Sequence, residues 1–425
     1  MGFTTLPEGR RVLLRNLRAP ACLIGEGEGL TLLDLVLEDG RLGAPGPVDA
    51  EADLGGAIVL PAFVDAHTHL DKGHILPRRP NPDGTFMGAL TNVGEDRAAR
   101  WSAEDVRRRA DFALRAAYAH GTRAVRTHID SIPPQEAISW PVFEALREDW
   151  AGRIALQGVC LVGIEFVDDT PEWHALARRV ADAGGVLGAV SYPVADIDRR
   201  LDLFFETAGR LSLAADFHTD ETLDPASATL RAIAQAVERT GFDAPVVCGH
   251  CCSLSTQPET EALATLDAVA RAGISMISLS MCNLYLQDRR PGRTPRSRGV
   301  TLVHEAKDRG IEVAFASDNT RDPFYAYGDL DMVEVLREAT RIAHLDHARD
   351  DWPRAFTAAP ARIMGIEGPS LAPGAPADLI LFRARSWNEL LSRPQSDRVV
   401  IRAGRVIDAA PPDYAELDDL MDPAA

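Results

Sequence analysis

The 425-residue chain carries a formal charge of -18, is 46% hydrophobic and contains six cysteines. That charge argues against a nucleic-acid surface, which needs clustered cationic side chains, and the absence of any run of about 18 uncharged apolar residues argues against a membrane-spanning helix. The length exceeds the usual size of one domain, so a large barrel with a smaller companion is the expected organisation.

The opening stretch Met1 to Arg11 lacks an apolar h-region, and the expected compartment is the cytoplasm. Residues 11–55 hold short alternating strands such as Leu32 to Leu37, followed by the turn Glu38-Asp39-Gly40. From Ala57 to about Phe356, apolar strands alternate with amphipathic helices, the pattern of a parallel α/β fold. Eight strands are predicted, at 57–66, 123–130, 153–162, 186–193, 211–218, 245–250, 274–281 and 311–317. Eight such units predict a closed (β/α)8 TIM barrel with its active site at the strand C-termini. Ser102 with Asp105 resembles a capping box, and Thr170-Pro171 is an N-cap followed by proline in the first turn.

Alternation returns in 377–408. Neither end alone has the apolar surface to fold independently, so residues 1–56 and 368–412 are expected to form one composite β-sandwich domain beside a barrel at 57–367. The acidic stretch 413–425 is expected to be a solvated, disordered tail. The cysteines form no disulfide framework. Cys248-Gly249-His250-Cys251 could suggest a zinc or redox pair, but no second pair follows at suitable spacing, and buried apolar thiols are the better account.

The chemistry concentrates at the strand ends. His67 and His69 are two apart at the end of the first strand and so point to one side of the pleat. Taken alone they could be ordinary loop histidines. His218, His250 and Asp318 end the fifth, sixth and eighth strands, and a barrel brings all these ends to one mouth. Imidazole and carboxylate donors suit one divalent metal ion, Zn or Fe, which would lower the pKa of a bound water towards roughly 7.

At this point the chain resembles the amidohydrolase superfamily, and more closely its cytosine deaminase branch. The residues that carry the resemblance are Pro61 to Lys72, Gly84-Thr85-Phe86, Val125 to Asp130, His218-Thr219-Asp220-Glu221, His250, Asn283 to Gln287, Arg298 to Thr301, Ser317-Asp318-Asn319 and Asp322-Pro323-Phe324. The resemblance implies a TIM barrel with a β-sandwich from both termini. It implies His67, His69, His218 and Asp318 as ligands of a single metal, His250 as the residue that positions or activates water, and Glu221 as the acid that protonates a ring nitrogen. Asp318 would also accept the water proton and pass it to the departing amine.

Binuclear relatives bridge two metals through a lysine on the fourth strand. Lysine occurs here only at Lys72 and Lys307, which favours one metal. The chain also lacks the His-x-Glu with Pro-Cys-x-x-Cys signature of nucleotide-type zinc deaminases. Three departures from the branch stand out: no glutamine follows the third strand, where Cys160 to Glu165 lie, an expected acid is Asn319, and an expected tryptophan is Phe324. Asn319 and Phe324 are therefore candidate substrate contacts, as is Gln287, which could equally brace its loop. Arg126, His128 and Asp130 could support the metal pocket or form a purely structural polar cluster.

The expected function is metal-dependent hydrolytic deamination of an amino-substituted nitrogen heterocycle such as a cytosine-like pyrimidine, a pterin or a triazine. The partner is then a small heterocyclic substrate, with no nucleic acid or membrane, and homo-oligomerisation is left open. The alternative is hydrolysis of a cyclic amide, as in dihydroorotase and hydantoinase relatives; Glu221 and the missing bridging lysine speak against it. A non-catalytic scaffold that keeps the barrel is the remaining class, and the full ligand set argues against it.

Overall fold

The computed structural model describes residues 6–25, 27–347 and 351–422. The outermost residues of the expected segments 1–56 and 413–425 lie outside that range. Sixteen strands occur among the described residues. In chain order they are β1 (Arg11–Pro20), β2 (Leu30–Glu38), β3 (Arg41–Gly43), β4 (Ala50–Asp53), β5 (Ile58–Pro61), β6 (Phe63–Thr68), β7 (Thr122–Asp130) and β8 (Ala155–Leu161). Then follow β9 (Leu187–Ser191), β10 (Ala215–Thr219), β11 (Val246–His250), β12 (Ser275–Ser278), β13 (Val313–Phe315), β14 (Leu379–Phe382), β15 (Val399–Arg402) and β16 (Arg405–Val406).

Strands β6 to β8 form one parallel sheet and β9 to β13 another. The sheets meet at both edges through parallel bridges: Thr68 with Asp318 on one side, Val159 with Val186 and Gly163 with Val190 on the other. All eight predicted strands are present, several of them shorter than expected. The seventh ends at Ser278 because a helix, Ser280–Leu286, begins there. At the ends of the fifth, sixth and eighth strands the backbone turns sharply: Asp220, His250, Cys251 and Asp318 all have positive φ between 48° and 67°. Non-glycine residues are rare in that region, and its cost is commonly met at functional sites.

The run 57–66, predicted as one strand, divides at Ala62. Its first half, β5, pairs with β14 and β1, and only β6 joins the parallel sheet. Period-two alternation explains how β5 serves two cores at once. Val59, Leu379, Leu381, Val399 and Ile401 face a cluster confined to the terminal strands, whereas Ile58, Leu60, Ile380, Phe382 and Val400 face the main core. Both termini thus enter one eight-stranded sheet.

The helix caps form as predicted. Ser102 accepts from Asp105 N, and Thr170 accepts from Trp173 N ahead of Pro171. The helix Ala103–His120 stops at Gly121, whose φ of 99° favours glycine; a Cβ there would come within 2.5 Å of Ile380 on the neighbouring sheet. No described helix is long and apolar enough to cross a membrane.

The acidic C-terminal stretch is not a solvated tail over its described part. Short helices at Tyr414–Leu417 and Asp418–Met421 dock on the helix Ala103–His120. Arg108 pairs with Asp419, Arg115 with Glu416, and buried Arg78 donates to the Leu420 carbonyl. The acidity that suggested disorder meets complementary arginines.

Tyr414 packs with Phe112 and near His74, a ring 2% exposed with both nitrogens unpartnered. Burial, then the charge of Arg321, depresses the His74 pKa to about 3. The unfolded chain binds this proton below about pH 6.5 and the folded chain does not, so stability present above pH 6.5 is lost as pH falls towards 3. The slope from this group is about 1.4 kcal/mol per pH unit. Thermal melts between pH 7 and 5 should show a shallower loss in His74→Leu than in wild type; equal slopes would count against this assignment.

Candidate metal centre and active site

His67 is the penultimate residue of β6 and His69 follows the strand; His218 lies in β10, and Asp318 stands three residues beyond β13. Their donor atoms converge. His218 Nε2 lies 3.2 Å from His67 Nε2 and 3.1 Å from His69 Nε2, and Asp318 Oδ1 lies 3.5 and 3.3 Å from the same two nitrogens. A tetrahedron with metal–ligand bonds of about 2.0 Å has edges of about 3.3 Å. Three imidazole nitrogens facing one another and a carboxylate cannot all be satisfied by protons, and neither Asp318 oxygen has a hydrogen-bond partner. Burial holds the three histidines well below their ordinary pKa, in the neutral form that ligates. The residues present fit a divalent cation.

Long-range bonds set this geometry. The Ser317 hydroxyl and N–H donate to Asp65 at 2.5 and 3.1 Å, and Asp318 N donates to the His67 carbonyl, which ties the end of β13 to β6. Asp220 accepts from Ser227 and from Thr229 and Leu230, holding the loop that carries Glu221. Behind the ligands, the His128 ring lies 3.9 Å from that of His67, while Arg126 pairs with Asp216 at 2.7 Å.

Glu221 and His250 stand beside the cluster. Asn283 Nδ2 lies 3.0 Å from His250 Nδ1 and 3.4 Å from Glu221 Oε1. With the amide nitrogen on this side, Asn283 donates to His250 Nδ1, the arrangement in which Nε2, buried and unpartnered, carries the proton. Burial lowers the His250 pKa to about 3 and keeps the ring neutral. Burial, then the charge of Asp318, pushes the Glu221 carboxyl well above its ordinary value.

These groups open on a cavity of about 290 Å³. Asn319 and Phe324 line it. The Asn319 amide donates to Asp322 at 2.7 Å, and Phe324 meets Phe86 edge to face at 5.5 Å. Gln287 is not on the wall; it braces the Glu221 loop, its amide donating to the Glu221 carbonyl at 3.3 Å. Asp130 reaches the cavity in a chain with Lys72 at 2.9 Å and Arg97 at 2.7 Å.

Sequence reasoning assigned no role to Asn283, Asp65, Asp220 or Lys72. Asn283 sits two residues from the end of a segment read as strand, Asp65 and Lys72 act through partners far along the chain, and Asp220 acts through the loop residues Ser227, Thr229 and Leu230. All six cysteines are free and buried, in keeping with their reading as apolar thiols.

A profile described as "Amidohydrolase family" matches residues 172–408. A pterin deaminase of Rhizobium rhizogenes is 53% identical over 431 aligned residues, which cover 99% of each chain. Among solved structures, a 5-methylcytosine deaminase from Klebsiella pneumoniae liganded with 5-fluorocytosine aligns with TM-score 0.79 and 26% identity, covering 95% of this chain and 98% of that one. An N-isopropylammelide isopropylaminohydrolase from Burkholderia multivorans aligns with TM-score 0.73 and 27% identity, covering 93% and 98%.

Proposed function

The chain belongs to the amidohydrolase family, whose profile spans more than half of it, and we propose on that premise that it hydrolytically deaminates a 2-amino-4-oxo nitrogen heterocycle of the pterin type. One observation carries the reading: His69 and His218 of a four-donor cluster line one cavity together with an acid of raised pKa, Glu221, and a neutral histidine, His250. Full-length 53% identity to a pterin deaminase supports the ring assignment.

His67, His69, His218 and Asp318 would hold one divalent ion, zinc or ferrous iron. When bound, it supplies a Lewis acid that brings the pKa of water towards roughly 7. The His250 Nε2 proton orients the attacking oxygen. Asp318 takes a proton from the water as its oxygen bonds to the amidine carbon, and Glu221 donates its own to the adjacent ring nitrogen, where negative charge develops. Asp318 then passes its proton to the amino group. The carbon–nitrogen bond breaks, ammonia leaves, and Glu221 regains a proton from the former water hydroxyl. One water is consumed and both carboxyl groups return to their starting states.

The parallel strands are read as a closed (β/α)8 barrel, supported by the bridges at both seams, with a small β-domain from both termini. Six free thiols support a reducing compartment such as the cytoplasm. The test is ammonia release by metal-replete enzyme from pterin, cytosine and an aminotriazine. Ammonia is expected, with pterin the best of the three; a ring-opened product without ammonia would overturn the reading in favour of cyclic-amide hydrolysis.

A further inference from the structure

The proton transfers above leave part of the cavity wall without a role. Glu165, in the turn Ile164–Phe166 after β8, and Tyr192, just after β9, both line the cavity, and the Tyr192 hydroxyl donates to Glu165 Oε2. The metal cluster is buried, whereas Glu165 is exposed and Tyr192 is 38% exposed, so this pair stands at the cavity's mouth. Gly163 makes room for it: a Cβ at that position would fall 2.5 Å from both carboxylate oxygens. Arg200 lies close by, but its guanidinium donates to the backbone carbonyls of Glu165 and Val167 and pairs with Asp168 and Asp196. Among the described residues no cationic side chain pairs with the Glu165 carboxylate.

Phe86, Leu90, Val93, Ile132, Leu161 and Val162 supply apolar wall. The cavity, about 290 Å³, has room beyond a single six-membered ring.

We propose that Glu165, held by Tyr192, reads the substrate edge opposite the amidine, and that the preferred substrate is a bicyclic ring carrying an N–H or O–H donor on that edge. This rests on the heterocycle-deaminase reading. An ionised carboxylate only accepts, and the one Tyr192 proton is already directed to it. A ring edge bearing only nitrogen lone pairs would set acceptor against acceptor, while a lactam N–H or a hydroxyl-bearing substituent would meet Glu165 directly. In pteridine terms, 6-hydroxymethylpterin and 7-oxopterin are favoured over unsubstituted pterin.

Stopped-flow quenching of pteridine fluorescence reads binding to the holoenzyme whether or not turnover follows, and ammonia release is measured in parallel. The donor-bearing rings are expected to bind about tenfold more tightly than pterin, one charge-assisted hydrogen bond at a part-solvated mouth. Glu165→Gln, which offers an N–H at the same size, should remove or reverse that preference through KM with kcat little changed. Gly163→Ala, which displaces the carboxylate while keeping its charge, should reduce it as well. Equal affinities in wild type, or a preference unchanged in both variants, would overturn the inference. Preferential binding without ammonia release would sink the deaminase reading alone, and failure to bind any of the rings would overturn both.

Discussion

Replacing Glu221 by glutamine is expected to leave metal content and folding near wild type while lowering kcat by about 10²- to 10⁴-fold, the range of a general acid. The substitution keeps the side chain's size and an oxygen for Asn283 Nδ2, so the Asn283 link to His250 can persist. It removes the acidic proton. An amide cannot deliver a proton to a ring nitrogen and recover it from a hydroxyl, and in the proposed mechanism no other acid among the described residues takes that part: His250 is held neutral, and Asp318 is assigned to the water and the amine. Burial and the neighbouring Asp318 charge favour the protonated state that Glu221 needs. Ammonia release together with metal analysis on the same preparation decides the matter, and turnover within tenfold of wild type would remove Glu221 from the mechanism.

His67→Ala should lose both the metal and the activity. His67 Nε2 faces His218 Nε2 and Asp318 Oδ1 within 3.5 Å, so its removal opens one corner of the four-donor set. The remaining donors can still attract a cation, but with weaker affinity and altered geometry. A second readout separates metal loss from a folding defect. A ligand that binds only the folded state raises stability by about 2.7 kcal/mol at a hundredfold excess over its dissociation constant. The melting temperature of wild type stripped of metal should therefore climb as zinc is added, while that of His67→Ala should begin to rise only at much higher zinc. An equal rise in both would show that His67 is not a ligand.

Much of the site is legible in the chain because its parts repeat one local pattern. An apolar run that ends in histidine or aspartate can be recognised wherever it occurs, and His67, His69, His218, His250 and Asp318 all obey that rule. Alternation likewise reveals the terminal strands. The division of 57–66 is hidden in the sequence, since both halves are wholly buried and no exposed position marks where one sheet gives way to another. Gln287 stands near the right place in sequence, yet the helix Ser280–Leu286 directs it beneath Glu221 instead of into the cavity. The docking of the acidic C-terminus depends on arginines some three hundred residues earlier, which composition alone could not pair with it.

By itself the sequence determined which side chains sit at the ends of which strands, because strand periodicity and the chemistry of imidazole and carboxylate are properties of a few neighbouring residues. Only the tertiary structure decided their distances and protonation. Asp65 fastens Ser317 across 252 residues, Asn283 sets the His250 tautomer across 33, and burial by the whole fold raises Glu221 and neutralises the histidines. Packing brings distant segments together and excludes water from between them, and the pKa shifts and bonds that make four donors and an acid into one site arise from that exclusion.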